Sequence, residues 1–190
     1  MARTKGSTGD TTKPRIREAA ARLMAAHGYD GLTMRGIGAE VGLQAGAIYR
    51  YFPDKASLAS DLVAEALAGR DLAFRAIDRD GKPLDVLEKF SACYLAWRMG
   101  SDGAARMIDL CLPALGGQGD ALGAASLDPE TELETILASG QEDGSFRLPD
   151  AQATALAALA MLDALAADTR LPQDRRARIG WSFVRRLVKA

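Results

Sequence analysis

The stretch Thr33–Lys55 reads TMRGIGAEVGLQAGAIYRYFPDK, and its spacing of apolar residues and glycines decides the fold. Met34, Ile37 and Val41 recur at three- and four-residue intervals, which predicts a short amphipathic helix. Gly42 follows directly, and glycine adopts a left-handed backbone without the Cβ penalty that other residues carry. The stretch therefore predicts one helix that ends in a tight turn leading to a second helix.

The second helix begins at Gln44, and Ile48 and Phe52 lie four residues apart on its inward side. The opposite side is polar, aromatic and basic, and it carries Gln44, Ala45, Ala47, Tyr49, Arg50 and Tyr51. A helix-turn-helix with such an outer face is typical of proteins that read the major groove of DNA. Gln44, Ala45 and Gly46 open this helix, where a glutamine can pair with adenine and an alanine methyl can touch thymine.

Both ends of this motif carry capping signals. Thr33 suits the N-cap of the first helix, while Pro53 stops the second helix and Asp54 can cap a third. Lys55 then falls in the first turn of that third helix, where its charge opposes the helix dipole. This position predicts an external anion nearby, and a phosphate would suit both the lysine and the helix N-terminus.

The segment IGAEVGLQAGAIYRYFPDKASL, residues 37–58, resembles the DNA-binding signature of the TetR family of transcriptional regulators. The likeness extends over about residues 16–63 and is carried by chemically diverse positions. These positions are Ile37, Gly42, Gly46, Tyr49, Phe52, Lys55 and Leu58. Outside this segment the resemblance is to an architecture only.

The resemblance implies roles for individual side chains of the motif. Tyr49 and Lys55 match the family's phosphate-contacting positions, and Tyr51 stands where the family often has histidine. The resemblance further implies that Thr33 meets phosphate through its hydroxyl and the adjoining helix N-terminus. Arg35 and Arg50 occupy family positions from which bases or phosphates are reached.

Two features depart from the family's pattern. Gln44 replaces the serine that commonly caps the recognition helix. Gly36 and Gly38 place two flexible residues in the first helix, and each glycine costs about 1 kcal/mol relative to alanine. We therefore expect this helix to have low local stability before DNA binds.

The charge is divided unequally along the chain. Residues 1–55 contain nine Lys or Arg and five Asp or Glu, which gives plus four, so the remainder must carry minus five to reach the net charge of −1. A basic N-terminal part joined to an acidic body predicts a polyanion-binding face in the N-terminal part and a different function for the rest of the chain.

The composition also limits the class of protein. No run of 18 apolar residues and no signal-peptide pattern occurs, which predicts a cytoplasmic protein without a membrane span. Cys93 and Cys111 do not have the spacing of metal ligands and are expected to be reduced core residues, with redox sensing as the alternative. His27 is the only histidine, and it is expected to interact with the carbonyls at the end of the helix predicted over 12–26.

Helical periodicity continues to the end of the chain. It predicts an all-α fold of about nine helices, with a three-helix helix-turn-helix DNA-binding domain followed by a larger helical ligand-binding and dimerisation domain. The predicted helices are 12–26, 33–41, 44–52, 54–79, 84–99, 104–112, 128–139 closed by Gly140, 151–168 and 172–188. Residues 113–128 contain four glycines and are expected to form a loop or a poorly ordered segment. The predicted domains are a disordered tail over 1–11, the DNA-binding domain over 12–57, and the effector-binding and dimerisation domain over 58–190.

The resemblance implies a small-molecule pocket in the second domain. Six residues on apolar stripes could line it, namely Phe74, Phe90, Tyr94, Trp97, Met107 and Met161. Tyr94 and Trp97 offer polar groups in an otherwise apolar wall. Ordinary core packing is the alternative for any one of these residues.

The last two helices carry more apolar surface than a single neighbour covers. The helix 151–168 is apolar nearly all round, which predicts burial on several sides, and the helix 172–188 has two apolar lines separated by arginines. The candidate interface residues are Leu156, Leu159, Trp181, Phe183, Val184 and Leu187. Packing within the chain and packing against a second copy fit the pattern equally well. The resemblance favours the second copy, in an isologous four-helix interface of a homodimer.

The resulting expectation is a one-component transcriptional regulator that acts as a repressor. It would bind a palindromic operator in double-stranded DNA as a homodimer and be released by a small-molecule effector of unknown identity. A helix-turn-helix dimer without an effector is the alternative. An all-α enzyme is less favoured, because the sequence shows no zinc spacing, no phosphate-binding glycine loop and no nucleophile elbow. No cofactor is expected.

Overall fold

The computed structural model describes residues 8–100 and 103–189. Its described residues form ten α-helices and one short 3-10 helix, which confirms the all-α prediction. The helices are α1 Thr8–Gly31, α2 Met34–Val41, α3 Ala45–Ile48, α4 Lys55–Arg75, α5 Pro83–Arg98, α6 Ala104–Cys111, α7 Gly117–Ala124, α8 Pro129–Glu142, α9 Ala151–Ala167 and α10 Gln173–Leu187, with the 3-10 helix at Pro113–Leu115. None of the described helices is both long and apolar enough to cross a membrane.

Helix α1 differs from its predicted range at both ends. It begins at Thr8, inside the predicted disordered tail 1–11, and residues 1–7 of that tail lie outside the described part of the chain. Pro14 is therefore inside the helix rather than in its opening turn, which removes one helical N–H donor near the start of a 24-residue helix. The predicted break at His27-Gly28 is confirmed, since Gly28 has φ 71° and ψ 177°, but one more helical turn follows it.

Residues 113–128, predicted to be a loop or poorly ordered, are largely helical. They form the 3-10 helix and α7. Because α7 was not predicted, the described residues contain ten α-helices where about nine were expected. Gly119 is buried, and a Cβ atom there would overlap the carbonyl of Leu112. Leu115 is buried beside it. The glycines in this segment therefore allow close packing of a short helix, whereas their number alone indicated flexibility.

Helix α8 continues past Gly140, which was predicted to end it. Gly140 is buried, and a Cβ there would overlap the ring of Phe146, so this glycine provides space for an aromatic side chain. The predicted Asp143-Gly144 bend is confirmed by the φ of 77° at Gly144. After the bend, the Arg147 N–H donates to the carbonyl of Val188 at 3.0 Å, which joins this segment to the residue after α10.

Contacts divide the chain into two compact units. The first contains the described residues up to Ala66 together with Arg106–Leu122, and the second contains Leu67–Ala105 and Gly123 onwards, each within the described residues. The boundary falls inside α4, which contributes residues to both units. In the second unit the core brings together α5, α8, α9 and α10, and its largest buried side chains include Phe74, Phe90 and Leu137. The assignment of DNA binding to 12–57 and of effector binding and dimerisation to 58–190 stays a prediction.

Helix α9 is buried on one side only within its own chain. Thr154, Ala155, Ala158, Leu159 and Leu162 are buried. Leu156 is 57% exposed, and several alanines on that side are exposed too, namely Ala153, Ala157, Ala160 and Ala164. The expectation that this apolar helix is covered on several sides is therefore not met by the chain alone.

Candidate functional site

The first helix of the motif is held at both ends by the residues that the sequence indicated. The Thr33 side chain accepts a hydrogen bond from the Gly36 N–H at 3.0 Å, which confirms the N-cap. Gly42 has φ 72°, which confirms the left-handed turn. The Leu43 N–H then donates to the carbonyl of Gly38 at 2.8 Å, so the turn folds back on the helix that precedes it.

Gly38 is required by this turn. A Cβ atom on Gly38 would lie 2.5 Å from the carbonyl oxygen of Leu43, a backbone atom that cannot move aside without opening the turn. A Cβ on Gly36 would lie 3.0 Å from the capping hydroxyl of Thr33. The expectation that both glycines only loosen α2 is therefore incomplete, because Gly38 allows α2 and the turn to approach closely.

The second helix of the motif is short, and its inward side is as predicted. Ile48 and Phe52 are buried, while α3 itself spans only Ala45–Ile48 and continues as a turn in which the Phe52 N–H donates to the carbonyl of Ile48. Gln44 is at the N-cap, but its side chain makes no capping hydrogen bond. The departure from serine at this position thus leaves the glutamine amide available to an external partner.

The predicted DNA-contacting residues on the outer side are mostly exposed. Thr33, Arg35, Gln44, Gly46 and Arg50 are exposed, and Tyr49 is 51% exposed. Within the described part of the chain, the side chains of Arg35, Gln44, Tyr49 and Arg50 make no hydrogen bond or ion pair. Ala45 and Tyr51 are half-buried.

Gly46 differs from Gly38 in its surroundings. It lies in α3, and a Cβ built on it would meet nothing within 4 Å. The protein's own packing therefore does not require a glycine here. A missing side chain on the outer side of α3 leaves room for close approach by something outside the chain.

The basic residues of α1 are used within the protein. Arg15 donates from Nη2 to the carbonyl of Val41 at 3.1 Å, and Arg17 pairs through Nε with Asp61 at 3.0 Å. Lys13 also pairs with Asp61, at 3.4 Å. Much of the positive charge counted in residues 1–55 thus joins α1 to α2 and α4, and the positive charge on the motif's outer side comes mainly from Arg35 and Arg50.

Asp54 and Lys55 begin α4, and Lys55 has a partner that the sequence did not indicate. The Asp54 carboxylate accepts from the Ser57 N–H at 2.7 Å, which confirms the cap. The Lys55 ammonium donates to the carbonyl of Tyr29 at 3.1 Å and lies 4.2 Å from the centroid of the Tyr29 ring. An ammonium has three donors, so two remain for an anion after this bond is made.

Four of the six predicted pocket residues form one aromatic cluster in the second unit. The ring centroids of Phe74 and Phe90 are 5.4 Å apart, and those of Tyr94 and Trp97 are 5.7 Å apart. Met161 packs against the same core. Met107 belongs to the first unit, where its Sδ is 3.8 Å from the Sγ of Cys111. The aromatic residues pack on one another and belong to the core of the second unit. Their role in lining a pocket stays a prediction.

A polar network that sequence reasoning missed surrounds Trp97. The guanidinium carbons of Arg70 and Arg98 lie 5.6 and 5.5 Å from the indole centroid. Asp163 accepts from the Tyr94 hydroxyl at 2.7 Å and pairs with Arg98 at 2.9 Å. The buried Nε1 of Trp97 has no hydrogen-bond acceptor among the described residues.

The Arg70 guanidinium is held by a neighbour on α4 and by two residues that precede α8. Its guanidinium pairs with Asp71 at 3.3 Å, donates to the Ser126 hydroxyl at 2.9 Å and donates to the carbonyl of Leu127. A signal for this residue existed in the sequence. Arg70 lies three residues after Leu67 and four before Phe74, on the line that is buried in α4.

The candidate dimer residues divide into two groups. Leu156, Phe183 and Leu187 are exposed, with 48% of Phe183 accessible. Leu159 and Val184 are buried in the chain's own core, and Trp181 packs partly against that core. In the single chain, the first group is exposed, Trp181 is half-buried, and the interface stays a prediction.

Comparison with known proteins assigns the N-terminal segment. Residues 16–62 match the family model described as bacterial regulatory proteins, tetR family. This segment is a TetR-family DNA-binding domain. The match covers α2, the turn at Gly42 and α3, so the TetR resemblance of the motif is confirmed.

Solved structures extend the fold similarity to nearly the whole chain. A bacterial regulatory protein in the tetR family from Rhodococcus RHA1 aligns with a TM-score of 0.83 and 24% identity, covering 96% of this chain and 98% of that one. The TetR family regulator PfmR from Thermus thermophilus gives 0.75 and 22%, covering 93% and 98%. AibR, solved in complex with isovaleryl coenzyme A and operator DNA, gives 0.79 and 19%, covering 90% and 97%. No curated protein matches the chain significantly in sequence.

Proposed function

We propose that this TetR-like protein is a cytoplasmic repressor that binds a palindromic operator as a homodimer and leaves it when a small molecule binds the second unit. The observation that carries the DNA-binding part is the exposed side of the motif. Gln44, Tyr49 and Arg50 stand exposed and without partners among the described residues on a motif whose ends are capped. A homodimer would present two such motifs, suited to half-sites about 34–36 Å apart.

The first experiment measures DNA binding directly. Fluorescence anisotropy with fragments from the region around the protein's own gene should identify one fragment that binds at least about 10³-fold more tightly than random DNA. A protein that binds every fragment alike at physiological salt would contradict the operator proposal.

Variants then separate base reading from phosphate contact. Lys55→Ala should weaken binding to all fragments and lower the salt slope by about 0.9, the value expected for one phosphate contact. Tyr49→Phe should also weaken binding to all fragments. Gln44→Ala should change the preference among fragments, by about 1–3 kcal/mol at the base it contacts. Lys89→Ala in the second unit is the charge-matched control, since it removes one exposed lysine that pairs with Asp78 at 2.8 Å.

The effector part of the proposal is supported by the second unit. Tyr94 and Trp97 place polar groups in an aromatic core, where the Tyr94 hydroxyl donates to the partly exposed Asp163 and the Trp97 N–H lacks an acceptor among the described residues. A ligand carbonyl or carboxylate could accept that hydrogen bond. AibR is a structural neighbour solved with a coenzyme A thioester, so isovaleryl coenzyme A is a reasonable first probe.

The coupling would use α4. This helix begins at the motif with Lys55 and continues into the second unit, where Arg70 and Phe74 are buried. A ligand that binds better to one position of α4 than to another would change the population of the two states and the spacing of the two motifs in the dimer.

A single-tryptophan variant tests the effector. Trp181→Phe leaves Trp97 as the only tryptophan, so its fluorescence reports on the aromatic core. Titration with isovaleryl coenzyme A, and then with a panel of short-chain acids and their thioesters, should shift the emission and lower operator affinity. Trp97→Phe in the unaltered background should remove the effect on DNA. A panel without any response would favour the alternative, a helix-turn-helix dimer without an effector.

A further inference from the structure

Three sulfur atoms meet in the first unit. The Sγ of Cys111 lies 3.0 Å from the Sδ of Met24 and 3.8 Å from the Sδ of Met107. Met24 belongs to α1, and the other two residues lie four positions apart on α6. All three side chains are buried. Met107 was one of the six predicted pocket residues but belongs to the first unit, and the proposed effector site in the second unit uses none of this sulfur cluster, Met24, Met107 and Cys111.

The donor set identifies the kind of ion that could bind. Thiolate and thioether ligands are soft and select Cu(I), whereas hard ions prefer oxygen. Within the described residues no group of three or more His, Cys, Asp or Glu side chains could hold a metal, so the usual ligand sets of structural zinc are not found there. The cluster differs from those sets because two of its three donors are methionines.

The distances fit a shared ion after a small adjustment. Metal–thiolate bonds are about 2.3 Å long in zinc sites. Two sulfurs at that distance from one ion, separated by the 3.8 Å between Cys111 and Met107, subtend a nearly tetrahedral angle. The shorter contact between Cys111 and Met24 must open, and methionine has three rotatable side-chain bonds with which to do so.

We propose that the sulfur cluster binds one soft monovalent cation, Cu(I) or Ag(I), through the Cys111 thiolate and the two thioethers. On binding, the S–H bond of Cys111 breaks, a sulfur–metal bond forms and the proton leaves to solvent. No oxidant or reductant takes part, because the cation keeps its charge state. The resulting thiolate–cation unit is neutral, which suits a buried apolar position.

The burial and softness of the three donors make the site selective. An ion that enters the cluster must exchange its water ligands for buried sulfur atoms. Soft cations gain from that exchange, whereas hydrated hard ions do not. Met24 of the cluster lies on α1, and the same helix contains Tyr29, whose carbonyl accepts the hydrogen bond from Lys55.

The test is a competition for Cu(I) with the reduced full-length protein under anaerobic conditions. The coloured Cu(I)–bicinchoninate complex supplies the ion at a concentration where isolated thiols do not compete. The wild type should withdraw one equivalent, and Zn(II) in excess should not displace it. Ag(I), which is not redox active under these conditions, should displace the Cu(I).

Variants decide whether the three sulfurs form the site. Cys93→Ser is the matched control, because it removes the half-buried cysteine of the second unit, and it should withdraw one equivalent like the wild type. Cys111→Ala should withdraw none. The double variant Met24→Leu with Met107→Leu keeps side-chain volume and the thiol, and its affinity should fall at least 10-fold, with the fold checked by circular dichroism. The proposal is overturned if the wild type withdraws no Cu(I), if Cys93→Ser loses as much as Cys111→Ala, or if the double variant binds as tightly as the wild type. None of these outcomes depends on DNA binding.

Discussion

Gly38 shows how one missing side chain sets the geometry of the DNA-binding motif. Its Cα hydrogen occupies the space beside the Leu43 carbonyl, where a Cβ would come within 2.5 Å of the oxygen. The obstacle is backbone, and it belongs to the turn that places α3 after α2. A larger residue would therefore change the turn itself, since no flexible side chain is available to give way.

We expect Gly38→Ala to lower the free energy of unfolding by about 1–3 kcal/mol, the range for overpacking a close contact. The measurement is urea denaturation followed by circular dichroism. Gly69→Ala is the control. Gly69 also lies inside a helix but has nothing within 4 Å of its Cβ position, so this change should stabilise by about 0.5–1 kcal/mol. Equal effects of the two substitutions would show that the contact with Leu43 is not what requires glycine.

Lys55 illustrates a residue whose position was predicted and whose partner was not. Its place in the first turn of α4 followed from Pro53 and Asp54, and that placement led to the phosphate hypothesis. The structure gives the ammonium an internal acceptor, the Tyr29 carbonyl, and an aromatic ring beside it. Lys55 therefore links the end of α1 to the start of α4 in the protein without DNA, and the phosphate contact remains a proposal.

At the scale of elements, the start of α4 depends on a reciprocal cap. The Asp54 carboxylate accepts from the Ser57 N–H at 2.7 Å, and the Ser57 hydroxyl lies 3.2 Å from the Asp54 N–H that donates to it. This arrangement is a capping box with serine in place of the usual glutamate. Hydrogen bonds from the Ser57 N–H and hydroxyl lower the pKa of Asp54.

The lowered pKa of Asp54 predicts a pH dependence of stability with a definite sign. A carboxylate with a depressed folded pKa stabilises fully above its unfolded pKa, about 3.9, and the stabilisation is lost as the pH falls through the folded value. Asp54→Asn keeps an N-cap acceptor but does not titrate. The wild type should therefore be more stable than Asp54→Asn at pH 7, and the difference in urea midpoint should shrink below pH 4. A difference that stays constant with pH would contradict the assignment.

Helix α7 and the end of α8 show where local propensity misleads. By propensity Gly119 and Gly140 indicate a loop and a helix end, yet both lie inside helices. Each glycine makes room for an atom that lies elsewhere in the chain, the Leu112 carbonyl in one case and the Phe146 ring in the other. Helix propensity describes only the local free-energy cost of placing a glycine in a helix. The stabilisation that these two glycines allow comes from packing against distant residues.

At the scale of the whole molecule, one chain leaves an apolar surface uncovered on its last two helices. Leu156 of α9 and Phe183 of α10 are 57% and 48% exposed. Exposed apolar surface of this kind marks an interaction site when it is continuous. We expect Leu156→Glu and Phe183→Glu to convert the proposed homodimer to monomers in light scattering, with the helical content unchanged.

Leu72→Glu provides the control for the dimer prediction. Leu72 lies on α4 and is 72% exposed, so this variant adds the same charge at an equally apolar exposed position outside α9 and α10. Its mass should remain that of the wild type. A dimer that survives Leu156→Glu and Phe183→Glu but dissociates with Leu72→Glu would place the interface on α4 instead.

The sequence by itself determined the features that depend on neighbours within a few residues. The caps at Thr33 and Asp54, the left-handed turn at Gly42 and the inward side of α3 follow from hydrogen bonds and helical periodicity over three or four positions. Only the tertiary structure decided the contacts between distant residues. Arg70 meets Leu127 across 57 positions, and Cys111 meets Met24 across 87. No local pattern encodes such pairs, because which buried side chains meet depends on how the helices pack and not on the period within any one of them.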